Sequence, residues 1–294
     1  MKAHNSVRPV GGLTSFCTSL NNRIPTLPAQ LASLVALGWT PAISCAADSG
    51  GTSDLAKQLQ NPIASLISVP IQYNYDQNLG VTDDGTQKYL RVEPVLPFKL
   101  NENWNLISRT IFTYFDQKDV TGPGEKQTGF GDVSQSLFFS PKDPTANGWI
   151  WGVGPAINIP SHDDFFSTDQ WGLGPTGVAL RQHDGWTYGA LASQTWGFNQ
   201  PSDKDHLNAL FLQPFINYTT KNSWTFGVNS ESTYNWSDNQ WSAPINIFVS
   251  KVTKIGKQPI SLLAGVRPWL DSPPGGAEST GFRLQITFLF PESK

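Results

Sequence analysis

From Leu66 to Phe290 the chain is a succession of short segments in which apolar and polar side chains alternate with a period of two, the period of an extended strand. The last segment, Gly281 to Phe290, is the cleanest: Phe282, Leu284, Ile286, Phe288 and Phe290 share one face, and Arg283, Gln285 and Thr287 share the other. Upstream, Ile67, Val69, Ile71 and Tyr73 oppose Ser68, Gln72 and Asn74, and Leu90, Val92, Leu96 and Phe98 oppose Arg91 and Glu93. Trp104 to Phe115 alternates less cleanly, around Arg109. In Thr128 to Ser140, Val133, Leu137 and Phe139 oppose Asp132, Ser134 and Ser136, and in Trp149 to Ile159 bulky apolar residues oppose Gly152, Gly154, Ala156 and Asn158. Trp171–Arg181, Trp186–Phe198, Leu207–Tyr218, Trp224–Trp236, Trp241–Val252 and Gln258–Trp269 complete twelve predicted strands.

Twelve strands, each near the ten residues a tilted strand needs to cross a bilayer, predict an all-β fold: a transmembrane antiparallel β-barrel over residues 66–290. The connections alternate in length, as long outside loops and short periplasmic turns do. Asp76–Gln87, Asp116–Gln127 and Pro160–Gln170 are long, whereas Asn101–Asn103, Gln182–Gly185 and Thr219–Ser223 are short. Pro141–Gly148 and Ser237–Gln240 break that alternation and leave the count open by one hairpin. Ahead of the strands, within an N-terminal segment of residues 48–65, Asp54 to Leu59 reads as a short helix with Ser53 as its N-cap. It is too short to stand alone, so it is either a plug lying in the lumen or a frayed terminus. Residues 291–294 are a tail.

Composition sharpens the choice between a membrane barrel and a soluble sandwich. Charged residues make up 15% of the chain, below the roughly 25% of a soluble domain, yet mean hydropathy is only −0.28 and no apolar run is long enough for a helical span. An alternating barrel combines these properties, because lumen-facing residues cancel lipid-facing ones. Trp104, Trp149, Trp151, Trp171, Trp186, Trp196, Trp224, Trp236, Trp241 and Trp269 all fall near predicted strand ends, where two interfacial girdles need them.

Residues 1–47 read as a signal peptide: basic residues without an acid, the apolar run Leu31 to Trp39, then small residues around Ser44-Cys45-Ala46-Ala47. Cys45 raises the alternative of a lipoprotein, although Ala42-Ile43-Ser44 lacks the expected leucine. Both cysteines, Cys17 and Cys45, belong to this leader, so the mature chain has no thiol chemistry. Its 17 basic residues against 23 acidic ones argue against a nucleic-acid partner.

By strand phase, Arg91, Glu93, Asp132, Asn229, Glu231, Arg267 and Arg283 face the lumen, with Arg109 beside them. A charge on the lipid face at mid-depth costs about 2–4 kcal/mol, which favours the same assignment. Such residues either form a constriction that sorts solutes or pair with one another and close the pore. No catalytic residues, cofactor or metal site are expected. Ser161-His162-Asp163-Asp164 lies in a predicted loop, and neither the histidines nor Asp163, Asp164 and Asp169 match a ligand motif.

Several stretches together resemble a bacterial outer-membrane family labelled "transporter" or "meta-pathway of phenol degradation". They are Asn61-Pro62-Ile63-Ala64-Ser65-Leu66-Ile67-Ser68-Val69-Pro70, Gly129-Phe130-Gly131-Asp132, Leu137-Phe138-Phe139-Ser140-Pro141, Gly154-Pro155, Gly172-Leu173-Gly174-Pro175, Gly256-Lys257-Gln258-Pro259 and Phe288-Leu289-Phe290-Pro291. The resemblance implies an outer-membrane barrel of a Gram-negative cell, and its label suggests passage of aromatic or other hydrophobic compounds. The expected partners are outer-membrane lipids and lipopolysaccharide, the barrel-assembly machinery and a small-molecule solute. The expectation is therefore a passive channel, with two alternatives: an outer-membrane lipid hydrolase, which needs a serine and a histidine at mid-strand, and a structural or surface-interaction barrel with a filled lumen.

Overall fold

The computed structural model describes residues 51–202 and 204–291. The expected leader and residues 292–294 of the expected tail lie outside the described residues. Helix α1 (Thr52–Leu59) precedes fifteen strands: β1 (Ile67–Leu79), β2 (Gly85–Val92), β3 (Val95–Lys99), β4 (Trp104–Lys118), β5 (Lys126–Phe130), β6 (Val133–Pro141), β7 (Trp149–Ile159), β8 (Trp171–His183), β9 (Trp186–Phe198), β10 (Asn208–Thr219), β11 (Trp224–Ser230), β12 (Ser232–Asn235), β13 (Gln240–Ile255), β14 (Gln258–Asp271) and β15 (Thr280–Phe290). Every paired neighbour is antiparallel, and β15 returns to β1 from Phe290 against Ile67 to Phe282 against Tyr75. That pairing closes the sheet and leaves no edge.

β2 and β3, β5 and β6, and β11 and β12 are each one stave of the wall with an interruption, so fifteen strands make a closed barrel of twelve staves. Each interruption has a residue-level cause or occupant. Pro94 has no N–H to give the ladder between β2 and β3; Gly131-Asp132 separates β5 from β6, and the single residue Glu231 separates β11 from β12. All three breaks carry a carboxylate that the alternation had placed on the inner face: Glu93, Asp132 and Glu231.

The two faces are inverted relative to a soluble sandwich. Outward positions are apolar and exposed, among them Leu90, Phe112, Val153, Leu173, Ile216, Leu262 and Leu284. Inward positions are polar and buried, among them Gln72, Asn74, Asp76, Thr113, Gln117, Thr187, Asn217, Asn246 and Thr287. Both irregular connections, residues 142–148 and 236–239, persist without altering the count. The end carrying residues 100–103, 142–148, 184–185, 220–223 and 256–257 is here the turn end, and the opposite one the loop end.

Two local expectations are corrected. Helix α1 begins earlier than predicted: Gly51, not Ser53, is its N-cap, its carbonyl accepting from Asp54 N at 2.9 Å, with no side-chain cap. Trp269 sits near a stave end but belongs to no girdle, because it shares the inward phase of Arg267 and donates its indole N–H to Asp76 Oδ1 at 3.1 Å. The other rim tryptophans, such as Trp104, Trp149, Trp171, Trp186 and Trp224, are exposed on the outer face.

Candidate functional site

The lumen is occupied at three levels. At the turn end, the segment before β1 enters the barrel. Leu55 and Ala56 of α1 pack on Leu66, Val252 and Leu289, Thr52 Oγ1 meets Ser223 Oγ at 2.7 Å, and Gln182 Nε2 donates to the Lys57 carbonyl at 2.9 Å. Asn61 then turns the chain, its Oδ1 accepting from Ile63 N at 3.0 Å. Ile63 is thereby inserted among Ile107, Phe138, Val178, Leu180 and Leu191, inward residues of β4, β6, β8 and β9. Gly152 makes room for it, since a Cβ there would lie 3.3 Å from Ile63 Cδ1.

At mid-depth lies a lattice of arginines and carboxylates. Glu231, on the ninth stave, accepts from Arg283 Nη1 and Nη2 at 2.7 and 2.9 Å and from Arg91 Nη1 at 3.2 Å. Arg283 is on the twelfth stave and Arg91 on the second, so these bonds cross the lumen rather than follow the wall. The Arg283 Nε–H is taken by Asn74 Oδ1 at 2.8 Å. Arg109 donates to Glu93 at 3.0 Å, and Arg267 donates to both Asp76 and the Tyr89 hydroxyl oxygen. Every one of the four inward arginines thus holds a carboxylate, as buried charges must. Between this lattice and the N-terminal plug is a cavity of about 200 Å³ whose walls mix Glu93, Arg109, Glu231 and Arg283 with Val95, Phe215, Phe248 and Leu263.

At the loop end, the connection between β7 and β8 folds over the mouth, and the Gly129-Phe130-Gly131-Asp132 motif explains how. Asp132 accepts from Ser167 Oγ at 2.6 Å, from Ser161 N and Thr168 N at 3.1 Å each, and from Asn158 Nδ2 at 2.8 Å. Gly129 is needed because a Cβ would lie 1.8 Å from Asp163 Oδ2, and Gly131 because one would lie 2.7 Å from the Phe115 ring. Phe166 stacks on Phe115 with centroids 4.8 Å apart. Farther out, Asp169 pairs with Lys204 at 3.3 Å and with His162 at 3.1 Å. Partial desolvation pushes the Asp169 carboxyl up, and hydrogen bonds from Lys204 and His162 outweigh it, holding the group below its ordinary value.

The structure therefore brings Arg91, Glu93, Arg109, Glu231, Arg267 and Arg283 into the lattice, and sets Asn229 on the wall beside it, accepting from Asn246 Nδ2 at 2.8 Å. Asp132 is placed elsewhere, as the anchor of the loop. Asn74, Asp76, Tyr89 and Trp269 belong to the lattice but were not singled out from sequence. Asn74 and Asp76 continue the polar phase of Gln72, and Tyr89 shares the phase of Arg91 and Glu93, which are usable signals; Trp269 was assigned to an interfacial girdle by its place near a strand end. The described histidines lie away from stave interiors: His162 and His206 in loops, His183 at the end of β8.

These features define the class of the molecule as a closed antiparallel twelve-stave β-barrel with a plugged, charge-bridged lumen. No family model matches the chain, and no curated protein matches it. Among solved structures, it is similar to an outer membrane channel from Pseudomonas putida F1, at 12% identity over 77% of this chain and 96% of that one, with a TM-score of 0.62. Weaker likenesses are to the KdgM porin in complex with disordered oligogalacturonate (12% identity, 75% and 98% covered, TM-score 0.41) and to outer membrane phospholipase A from Escherichia coli (13%, 82% and 98%, TM-score 0.46). At such identity the first likeness establishes the barrel fold.

Proposed function

We propose that this chain is an outer-membrane channel for passive uptake of small solutes, shut in the conformation described. The exposed apolar outer face with tryptophans at its margins supports placement in a bilayer, since a soluble monomer rarely exposes so continuous an apolar surface. The observation that carries the channel reading is the central cavity, bounded on one side by exchangeable polar contacts and on the other by the N-terminal segment instead of being packed solid. Glu231 spans the lumen through hydrogen bonds to two arginines, and such bonds can be exchanged for bonds to a solute or to water. The mixed walls suit a solute with both a polar group and an apolar body, which agrees with the aromatic and hydrophobic compounds that the resemblance suggests. The short turns face the periplasm and the long loops the outside on this reading, and β15 is the strand the barrel-assembly machinery would engage.

The test is single-channel recording from the refolded mature chain in a planar bilayer, with a heat-shifted gel band reporting the folded barrel. Discrete current steps are expected, and a conductance raised severalfold when residues 51–66 are deleted. A folded barrel that stays silent in both forms would overturn the channel reading in favour of a structural barrel.

A further inference from the structure

Five arginines occur among the described residues, and four of them point into the lumen toward a carboxylate. The fifth, Arg181, points outward at the turn end. It lies opposite Trp149 on β7 and Tyr188 on β9, both on the exposed face, and no carboxylate pairs with it among the described residues. Its guanidinium sits 5.8 Å from the Trp149 ring centroid, at the edge of a hollow formed with Ala146, Asn147 and Gly148. Gly148 keeps a positive φ of 76°, so the turn approaches Arg181 without a side chain in between. Lys251 lies over Trp224 at another point of the rim, but its ammonium already donates to the Asn222 carbonyl at 3.3 Å.

The register continues this hollow into the apolar belt. One rung deeper, Trp151, Ala179 and Ala190 stand side by side, and below them Val153, Gly177 and Ala192. A cation whose guanidinium has no hydrogen-bond partner among the described residues therefore heads a shallow channel of small residues walled on one side by Trp151 and Val153. The charge around it points the same way: among the described residues, the turn-end tips and turns carry seven basic and three acidic side chains, whereas the loop end carries thirteen acidic side chains and four lysines. We propose that Arg181, Trp149 and the Gly148 turn form a headgroup site for an anionic phospholipid of the turn-end leaflet, with one acyl chain lying along Ala179 and Gly177. A guanidinium presents a planar fork of donors that fits a phosphate, and Trp149 marks the depth at which a headgroup lies. This inference rests on the membrane reading above but not on conduction.

The experiment is native mass spectrometry of the folded mature barrel with mixed micelles of phosphatidylglycerol and phosphatidylcholine. The wild type should retain one phosphatidylglycerol in preference to phosphatidylcholine. R181Q should weaken that retention by about fivefold, the effect of one basic residue at an anionic surface, while R181K keeps part of it. K221Q, which removes a charge from a solvent-facing turn, should leave retention unchanged. Equal retention in wild type and R181Q, or no preference in the wild type, overturns the site. Displacement by inorganic phosphate alone would reduce it to a simple anion site and overturn the lipid assignment. A barrel that binds the lipid but does not conduct refutes only the channel, and one that conducts without lipid preference refutes only the site.

Discussion

At the scale of single residues, the lumen depends on a few atoms whose partners are buried. Removing the charge of Glu231 by E231Q leaves Arg283 and Arg91 without their carboxylate, a loss of the order of 3–5 kcal/mol when a buried pair is broken. Urea unfolding of the variant in detergent should therefore show a clearly lower midpoint, and its current, where present, should shift toward anions. R91A combined with R267A should move ion selectivity the other way, and unchanged selectivity in a conducting barrel would refute their role in the constriction. Gly154 and Gly174 test the wall itself, since a Cβ at either would fall 1.9 or 1.8 Å from a neighbouring carbonyl oxygen. G154A and G174A should fail to give the heat-shifted band of a folded barrel. The inward glycines were legible in the sequence as room-makers; which backbone approaches each of them was not, because that depends on how adjacent staves are staggered.

At the scale of elements, the plug and the loop are held by different physics. The plug is hydrophobic: I63D places a charge among Ile107, Phe138, Leu180 and Leu191, and should expel the segment and expose residues 51–66 to protease while the barrel stays intact. The loop is polar and responds to pH. A carboxyl held below its ordinary value stabilises the folded form at pH above that ordinary value, about 4, and the contribution disappears as pH falls through the lower folded value. Asp169 is such a group, so its contribution to the hold of the loop should be present at neutral pH and lost in stronger acid. Cleavage beside the exposed Phe165 by an acid-active protease should rise only below about pH 4, and K204Q should shift that onset upward. Helix α1 was visible as an element from its sequence, and a plug in the lumen was one of the two lodgings left open there. A short amphipathic segment records that it needs an apolar surface but not which one, and only the closed wall supplies the surfaces that receive it.

At the scale of the whole molecule, closure is the decisive event. β15 supplies one ladder to β14 and another to β1, so removing residues 280–291 opens two edges at once. Such a truncation should abolish the heat-shifted band and yield aggregates instead of a smaller barrel. The sequence by itself determined the class of this protein: period-two alternation assigns each side chain to one of two faces, the length of each run matches a bilayer, and the even number of runs permits closure with both ends on one side. It also placed the eight candidate residues on the inner face or beside it. Only the tertiary structure decided that Glu231 reaches across to Arg91 and Arg283, that Asp132 serves a loop, that Trp269 turns inward, and that Ile63 stoppers the turn end. Alternation is a local property that fixes a face. Contacts across a lumen join staves that are neighbours neither in sequence nor in the sheet, and they exist only after the last strand has found the first.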